Sequence, residues 1–232
     1  MTLRPAVWLP LAILPVMLLI FEPTGLDFYL QDIVWDPTGG GHWVIDAHAE
    51  WPRLLFYRIP RWIVMGAGVS AVLVWLAGFC IESFRCWRRR SLFVALSIAL
   101  VPGAVGALKA STNVHCPTQL TRYGGDEPYD GIAARLFHPV ETATRGRCFP
   151  AGHASGGFAL LALGWIAETR RFRLVGWSFG LLAGTVLGAY QMAKGVHFMS
   201  HTLATMLLAI AITAGLATVI WPNRLAVPNM DA

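Results

Sequence analysis

The chain has 232 residues, of which 56% are hydrophobic and only 13% charged, with a mean hydropathy of +0.55. Soluble domains carry about 25% charged residues, so this composition excludes an ordinary soluble globule and points to membrane spans. The net charge of +5 comes mostly from arginines clustered between apolar runs, a pattern that sets membrane topology rather than nucleic-acid binding; no nucleotide-phosphate loop, dinucleotide fingerprint or zinc-finger spacing is present.

A helix needs about 20 residues to cross ~30 Å of hydrocarbon. Six apolar segments are candidates: Ala6 to Phe21, Trp62 to Phe84, Leu92 to Leu108, a fourth from just after His153 to near Ala167, Leu174 to Tyr190, and Thr202 to Trp221. The first is read as a retained span, because Glu22-Pro23-Thr24-Gly25 offers no small-x-small cleavage site. The stretch Asp27 to Pro60 mixes aromatic residues with charges. It suits one or two helices lying in the membrane interface, or a cap packed on the bundle. The expected fold is all-α: one domain over 1–232, a six-helix transmembrane bundle with a first-span and interfacial region over 1–61.

The connections are of two kinds. Two are tight and arginine-rich, Arg85 to Arg90 and Arg170 to Arg173. Two are longer and rich in Gly, Pro, Asp and His, Glu22 to Arg61 and Lys109 to His153. With six crossings the 18 basic residues divide nine and nine, Arg4 and Arg224 falling with the tight loops, so a simple count does not orient the chain. Short loops next to spans carry the topogenic weight. The tight loops are therefore placed in the cytoplasm of a bacterial inner membrane, and the long loops in the periplasm.

Three polar clusters fall on the periplasmic face. They are Lys109 to Pro117, Arg147 to Gly157, and Gln191 to His201. Ionisable residues at span ends that face a bundle interior are functional candidates. Lysine offers a point charge for phosphate oxygens, one His can attack phosphorus, and another can protonate the leaving oxygen. Pro150-Ala151-Gly152-His153 reads as a turn into a helix, where free N–H groups bind anions. Gly156 and Gly157 read as packing residues. Singly, each residue has an ordinary structural use; the coincidence on one face points to a phosphate site.

From Lys109 to His201 the sequence resembles the type 2 phosphatidic acid phosphatase superfamily, whose pattern is Lys-x6-Arg-Pro, Pro-Ser-Gly-His and Ser-Arg-x5-His-x3-Asp. Lys109 with Pro117 matches the first part, Pro150-Ala151-Gly152-His153 three of four positions of the second, and His197 the third. The resemblance implies a motif core over 92–221. It also implies a metal-independent, cofactor-free mechanism in which His197 attacks phosphorus and His153 protonates the leaving oxygen. Lys109 and Gly152 would hold the phosphate. The sequence departs from the pattern at Cys116 (Arg), Ala151 (Ser), Tyr190-Gln191 (Ser-Arg) and His201 (Asp). Lys194, Arg122, Arg145 or Arg147 are the candidates for the missing cationic contacts, Gln191 for a further phosphate contact, and His201 for orienting His197. Cys116 and Cys148 flank the first two motifs and are expected to form a disulfide; a metal site with His115 is the alternative use. Cys80 and Cys86 are expected as free thiols. The implied partner is a lipid phosphate within the membrane: lipid A 1-phosphate, undecaprenyl pyrophosphate or a phospholipid phosphate. A lipid phosphotransferase using the same phosphohistidine, or a non-catalytic lipid-binding or transport protein on this scaffold, are the alternatives.

Overall fold

The computed structural model describes residues 4–137 and 145–222. Arg224, counted above with the arginine-rich side, lies outside them. Helix α1 runs Arg4–Thr24, followed by the short α2, Leu26–Asp32. A two-stranded antiparallel hairpin follows, β1 Trp35–Asp36 against β2 His42–Trp43. Next come α3 Glu50–Arg53, a π-helical turn Leu54–Arg58 and α4 Ile59–Cys80. The remainder is α5 Arg88–Ser111, α6 Ile132–Phe137, α7 Gly152–Ala159, α8 Ala162–Ile166, α9 Arg170–Ala193 and α10 Met199–Ile220.

Among the described residues five helical stretches are long and apolar enough to cross a membrane: Pro5–Thr24, Glu50–Cys80, Glu82–Ser111, Arg170–Ala193 and Met199–Ile220. Two of them begin earlier than the hydropathy suggests. The second continues upstream of Trp62 to Glu50, because the amphipathic stretch before it is itself helical. The third takes in Arg88, Arg89 and Arg90, so the arginine-rich loop is largely the first turn of α5.

The fourth expected span is instead two short helices, α7 and α8. Between them the bonding tightens to i→i−3, with Leu160 N bonded to Gly157 O and Leu161 N to Phe158 O. The cause is the approach of α9. Gly176, Gly180, Gly184 and Gly188 recur every four residues on one face of α9, and all four are buried. A Cβ on Gly180 would stand 2.4 Å from Leu161 N, and one on Gly176 2.5 Å from Gly164 N. Backbone here lies on backbone, which only a glycine stripe permits. Gly157 contributes from the other side, its ideal Cβ falling 2.5 Å from Gly184 N. The packing role expected of Gly157 is thus met.

The stretch read as interfacial helices is mostly a cap. Between Asp27 and Ala49 the helical backbone is α2 and a single 3-10 turn, Thr38–Gly40. The hairpin stacks Trp35 on Trp43, with ring centroids 4.6 Å apart. These rings join Phe28, Tyr129 and the buried Leu120, Tyr123 and Phe198 in one apolar cluster over the turn between α9 and α10. The turn residue Gly195 has φ +71°, and its face is covered so closely by Trp43 that a Cβ would sit 2.2 Å from the ring. Two buried polar side chains fasten α2 beneath the cap: Gln31 Nε2 donates to Met192 O at 2.9 Å, and the Asp27 carboxylate accepts from Ser200 N at 3.0 Å.

The arginine-rich turns gather at the opposite end of the bundle. Arg90 pairs with Glu168, which joins the start of α5 to the segment before α9.

The glycine stripe makes a direct prediction. Gly184→Val places a Cβ 2.2 Å from the fully buried Phe158 ring. It should lower the thermal unfolding temperature of detergent-purified protein, with an overpacking cost of about 1–3 kcal/mol or more. Gly156→Ala, whose Cβ meets Val64 at an ordinary 3.8 Å, should leave it unchanged or slightly raised.

Candidate functional site

Four helix ends meet beneath the cap: the end of α5, the start of α7, the end of α9 and the start of α10. Each carries one of the expected side chains. Lys109 lies in the last turn of α5. Its ammonium lies beside the start of α7, where a Cβ on Gly152 would fall 3.7 Å from Lys109 Nζ. Ala151, at the N-cap of α7, makes no side-chain cap bond. The amides of the first turn are therefore without a side-chain acceptor, next to a lysine.

His153 follows one residue later. Its ring meets that of Tyr57 at a centroid distance of 4.5 Å. Lys109, Gly152 and His153 share a cavity of about 420 Å³ with Tyr57, Arg61 and Gly156. Its remaining wall is apolar, including Val64, Met65, Ile98, Pro102 and Leu187, and runs down between α4 and α5.

His197 lies between α9 and α10 and is fully buried, off the cavity wall. Lys109, His153 and His201 all stand close enough for their charges to act on its ring. Burial, the dominant cause, and these neighbours hold its pKa well below the ordinary histidine range, so the imidazole is neutral near pH 7. Its Nδ1 lies 3.4 Å from Cys148 Sγ. Cys148 is bonded to Cys116, with Cα atoms 5.1 Å apart, and a disulfide sulfur has no proton to give. Only Nδ1–H can donate in that contact, which leaves Nε2 deprotonated. Among the described residues His197 Nε2 has no hydrogen-bond partner.

The region 90–225 matches the family model described as the PAP2 superfamily, well over half of the chain. The chain belongs to the PAP2 superfamily. It is also 27% identical over 142 residues to a protein named lipid A 4'-phosphatase from Francisella tularensis subsp. novicida (strain U112), covering 58% of this chain and 60% of that relative. No solved structure matches it significantly.

Departures from the PAP2 pattern take on definite positions. Cys116, at an expected arginine, forms the disulfide with Cys148, while Cys80 and Cys86 are free and exposed. His201 makes no hydrogen bond to His197 among the described residues. Among the described residues neither of its ring nitrogens has a hydrogen-bond partner, and it sits edge-on to Phe149 and Phe198 at 5.3 and 5.5 Å, with the His197 ring 5.8 Å away. Those aromatic neighbours set the ring's plane; the Cys148 sulfur occupies the position at Nδ1. Cys148, His197 and His201 also form the one group of potential metal-ligand atoms within 4.8 Å of one another among the described residues, but the disulfide removes the Cys148 thiolate from it.

The expected replacement cations divide sharply. Arg122 is bound in the cap: it donates to Asp32 at 2.6 Å and lies over the Phe28 ring at 5.1 Å. Arg145 donates to Ala110 O at 2.7 Å. Arg147 is exposed, and Gln191 is buried off the cavity wall. Lys194, also off the cavity wall, is the one among them whose charge acts on His153, with its ammonium 5.3 Å from the Tyr190 ring. Burial, then the charge of Arg53, lowers the Lys194 pKa.

Residues 53–61 supply what sequence reasoning passed over. Arg61 lines the cavity, Tyr57 packs its ring at a tilt against His153, and Arg53 acts on Lys194 and Tyr190. Their spacing of four is the signal that was available; it becomes visible only if that stretch is read as helix.

Two predictions follow from this geometry. Alkylation of unfolded but unreduced protein should label Cys80 and Cys86 and spare Cys116 and Cys148 until a reductant is added. The second concerns Asp27, buried at the start of α10, where desolvation raises its pKa to about 6 against the hydrogen bonds from Ser200. A raised carboxyl pKa means the folded state holds its proton more tightly. Its contribution to stability is full below pH ~4 and is lost as pH rises through about 6, up to roughly 3 kcal/mol in all. Unfolding free energies of wild type and Asp27→Asn should therefore diverge across that window, wild type weakening as pH rises.

Proposed function

We propose that this chain is an integral membrane phosphatase that cleaves a lipid phosphate or pyrophosphate through a phosphohistidine. One observation carries the reading: Lys109, His153 and His197, 88 residues apart in sequence from first to last, meet beside a cavity whose lower wall is apolar and opens between α4 and α5. The upper part suits a phosphate and the lower part an alkyl chain. Family membership and the lipid A 4'-phosphatase relative point the same way.

The chemistry runs in two steps. His197 Nε2, neutral and unpartnered, forms a bond to phosphorus as the bond to the lipid oxygen breaks in line. Burial and the charges of Lys109, Lys194 and Arg61 lower the His153 pKa to about 4; the negative charge of a bound phosphate offsets those cations, and His153, protonated with the substrate in place, gives its proton to that oxygen and becomes a base. It then takes a proton from water, whose oxygen attacks the phosphohistidine and returns His197 to its starting state. The ammonium of Lys109 and the amides at the start of α7 stabilise the charge spread over the equatorial oxygens. His197 is covered in the unliganded arrangement, so phosphate must displace the groups over it to react. The placement of the site away from the arginine-rich end, and the disulfide beside it, support a periplasm-facing site in a bacterial inner membrane.

The test is phosphate release by purified protein from a panel holding lipid A, undecaprenyl pyrophosphate, phosphatidylglycerol phosphate and phosphatidic acid. Wild type should release phosphate from at least one, with a chelator present. His197→Ala should fall to background and Lys109→Ala by about 10²-fold. If wild type and both variants are equally silent on every lipid, the catalytic reading fails; transfer of phosphate to an added lipid without free phosphate makes the protein a phosphotransferase.

A further inference from the structure

The PAP2 pattern places arginines at positions occupied here by Cys116 and Gln191, one in the disulfide and one buried off the cavity. A bound phosphate still needs its charge offset. The cavity holds a different set. Arg61 lines it with Lys109 and His153, and the charges of Lys109, Lys194 and Arg61 all act on the His153 ring. Arg53 stands near Lys194 and Tyr190, and Tyr190 stacks on Phe56 with centroids 5.3 Å apart. No ion pair among the described residues engages Arg53, Arg61, Lys109 or Lys194. Among the described residues the cavity wall contains no Asp or Glu.

Lys109 and Arg61 on the cavity wall, with Lys194 and Arg53 off it but near enough for their charges to act on His153 and on each other, repel one another, and an anion between them relieves that repulsion. Arg61 and Arg53 come from the stretch Glu50 to Arg61, and the family match begins only at residue 90. Their spacing of eight, with Tyr57 midway, sets all three on one side of the helix that continues into α4. The same helix offers the apolar wall through Val64 and Met65.

We propose that Arg61, assisted by Arg53, binds the substrate's phosphate in place of the two absent motif arginines, so that part of the anion site is supplied from outside the family core. Arg61, exposed at the start of α4, offers a bidentate guanidinium fork to phosphate oxygens. The inference rests on the same site as the phosphatase reading but not on turnover.

Binding of inorganic phosphate to full-length protein in detergent, measured by titration calorimetry, is the test. Arg61→Gln should weaken binding about tenfold or more, Arg53→Gln by less, and Arg61→Lys should recover part of the loss, as expected for a charged hydrogen-bond donor. Arg58→Gln, one residue off that face and absent from the cavity wall, should bind as wild type does. With an active lipid substrate, Arg61→Gln should raise KM more than it lowers kcat. If Arg61→Gln and Arg53→Gln both bind phosphate like wild type, the proposal is wrong even in an active enzyme. If phosphate binding depends on Arg61 while no lipid is hydrolysed, the anion site stands and the phosphatase reading falls. Unfolding temperatures equal to wild type separate lost binding from lost structure, and Arg61→Lys decides if Arg61→Gln misfolds.

Discussion

The turn Phe149–Ala151 is non-helical backbone buried inside an apolar bundle, and its polar groups must find partners within the protein. The partners it finds are what bring the site together. Thr112 Oγ1, just past the end of α5, donates to Phe149 O at 2.6 Å. Ala151 N donates to His201 O at 3.2 Å, and Thr205 Oγ1 donates to Ala151 O at 3.1 Å, both from the first turns of α10. One buried turn thereby ties together the segments that carry Lys109, His153 and His197. The Cys116–Cys148 disulfide closes the same loop from the other side. Leaving these groups unpaired would cost about 1–3 kcal/mol each, so the convergence is a consequence of backbone satisfaction and not of any attraction among the cations, which repel.

Around that frame the pattern has been altered rather than simply lost. Where the family places an arginine, a cysteine anchors the loop. Where it places an aspartate, an aromatic-walled histidine stands apart and the disulfide sulfur meets His197 Nδ1. In the proposed reading the cationic work moves to the helix leading into α4, which also borders the apolar slot. A substrate's phosphate and its alkyl portion would then contact the same helix, a coupling the shared motifs alone do not provide.

Much of this was legible in the chain. The long apolar runs announced α4, α5, α9 and α10, and the Lys109, His153 and His197 spacing announced the site. Cys116 and Cys148 could be paired because each adjoins a motif. Three features were not legible, each for a physical reason. The broken helix α7–α8 looks continuous by hydropathy, because its break comes from contact with the glycine face of α9 rather than from its own residues. The cap could not be told from interfacial helices, since aromatic residues mixed with charges suit both. Arg61 was overlooked because a basic residue just before a span ordinarily marks an interface, and Arg122, equally basic and closer in sequence to the motifs, is satisfied by Asp32 instead.

The central claim is that His197 is the reacting group in a pocket assembled by that buried turn. The most direct measurement is peptide-level mass spectrometry, under neutral conditions, of protein quenched during turnover of a lipid phosphate. The account predicts an acid-labile phosphoryl group on His197, accumulating further in a His153→Ala variant whose second step is slowed. Phosphate found on another residue, or steady turnover by protein lacking His197, would contradict it.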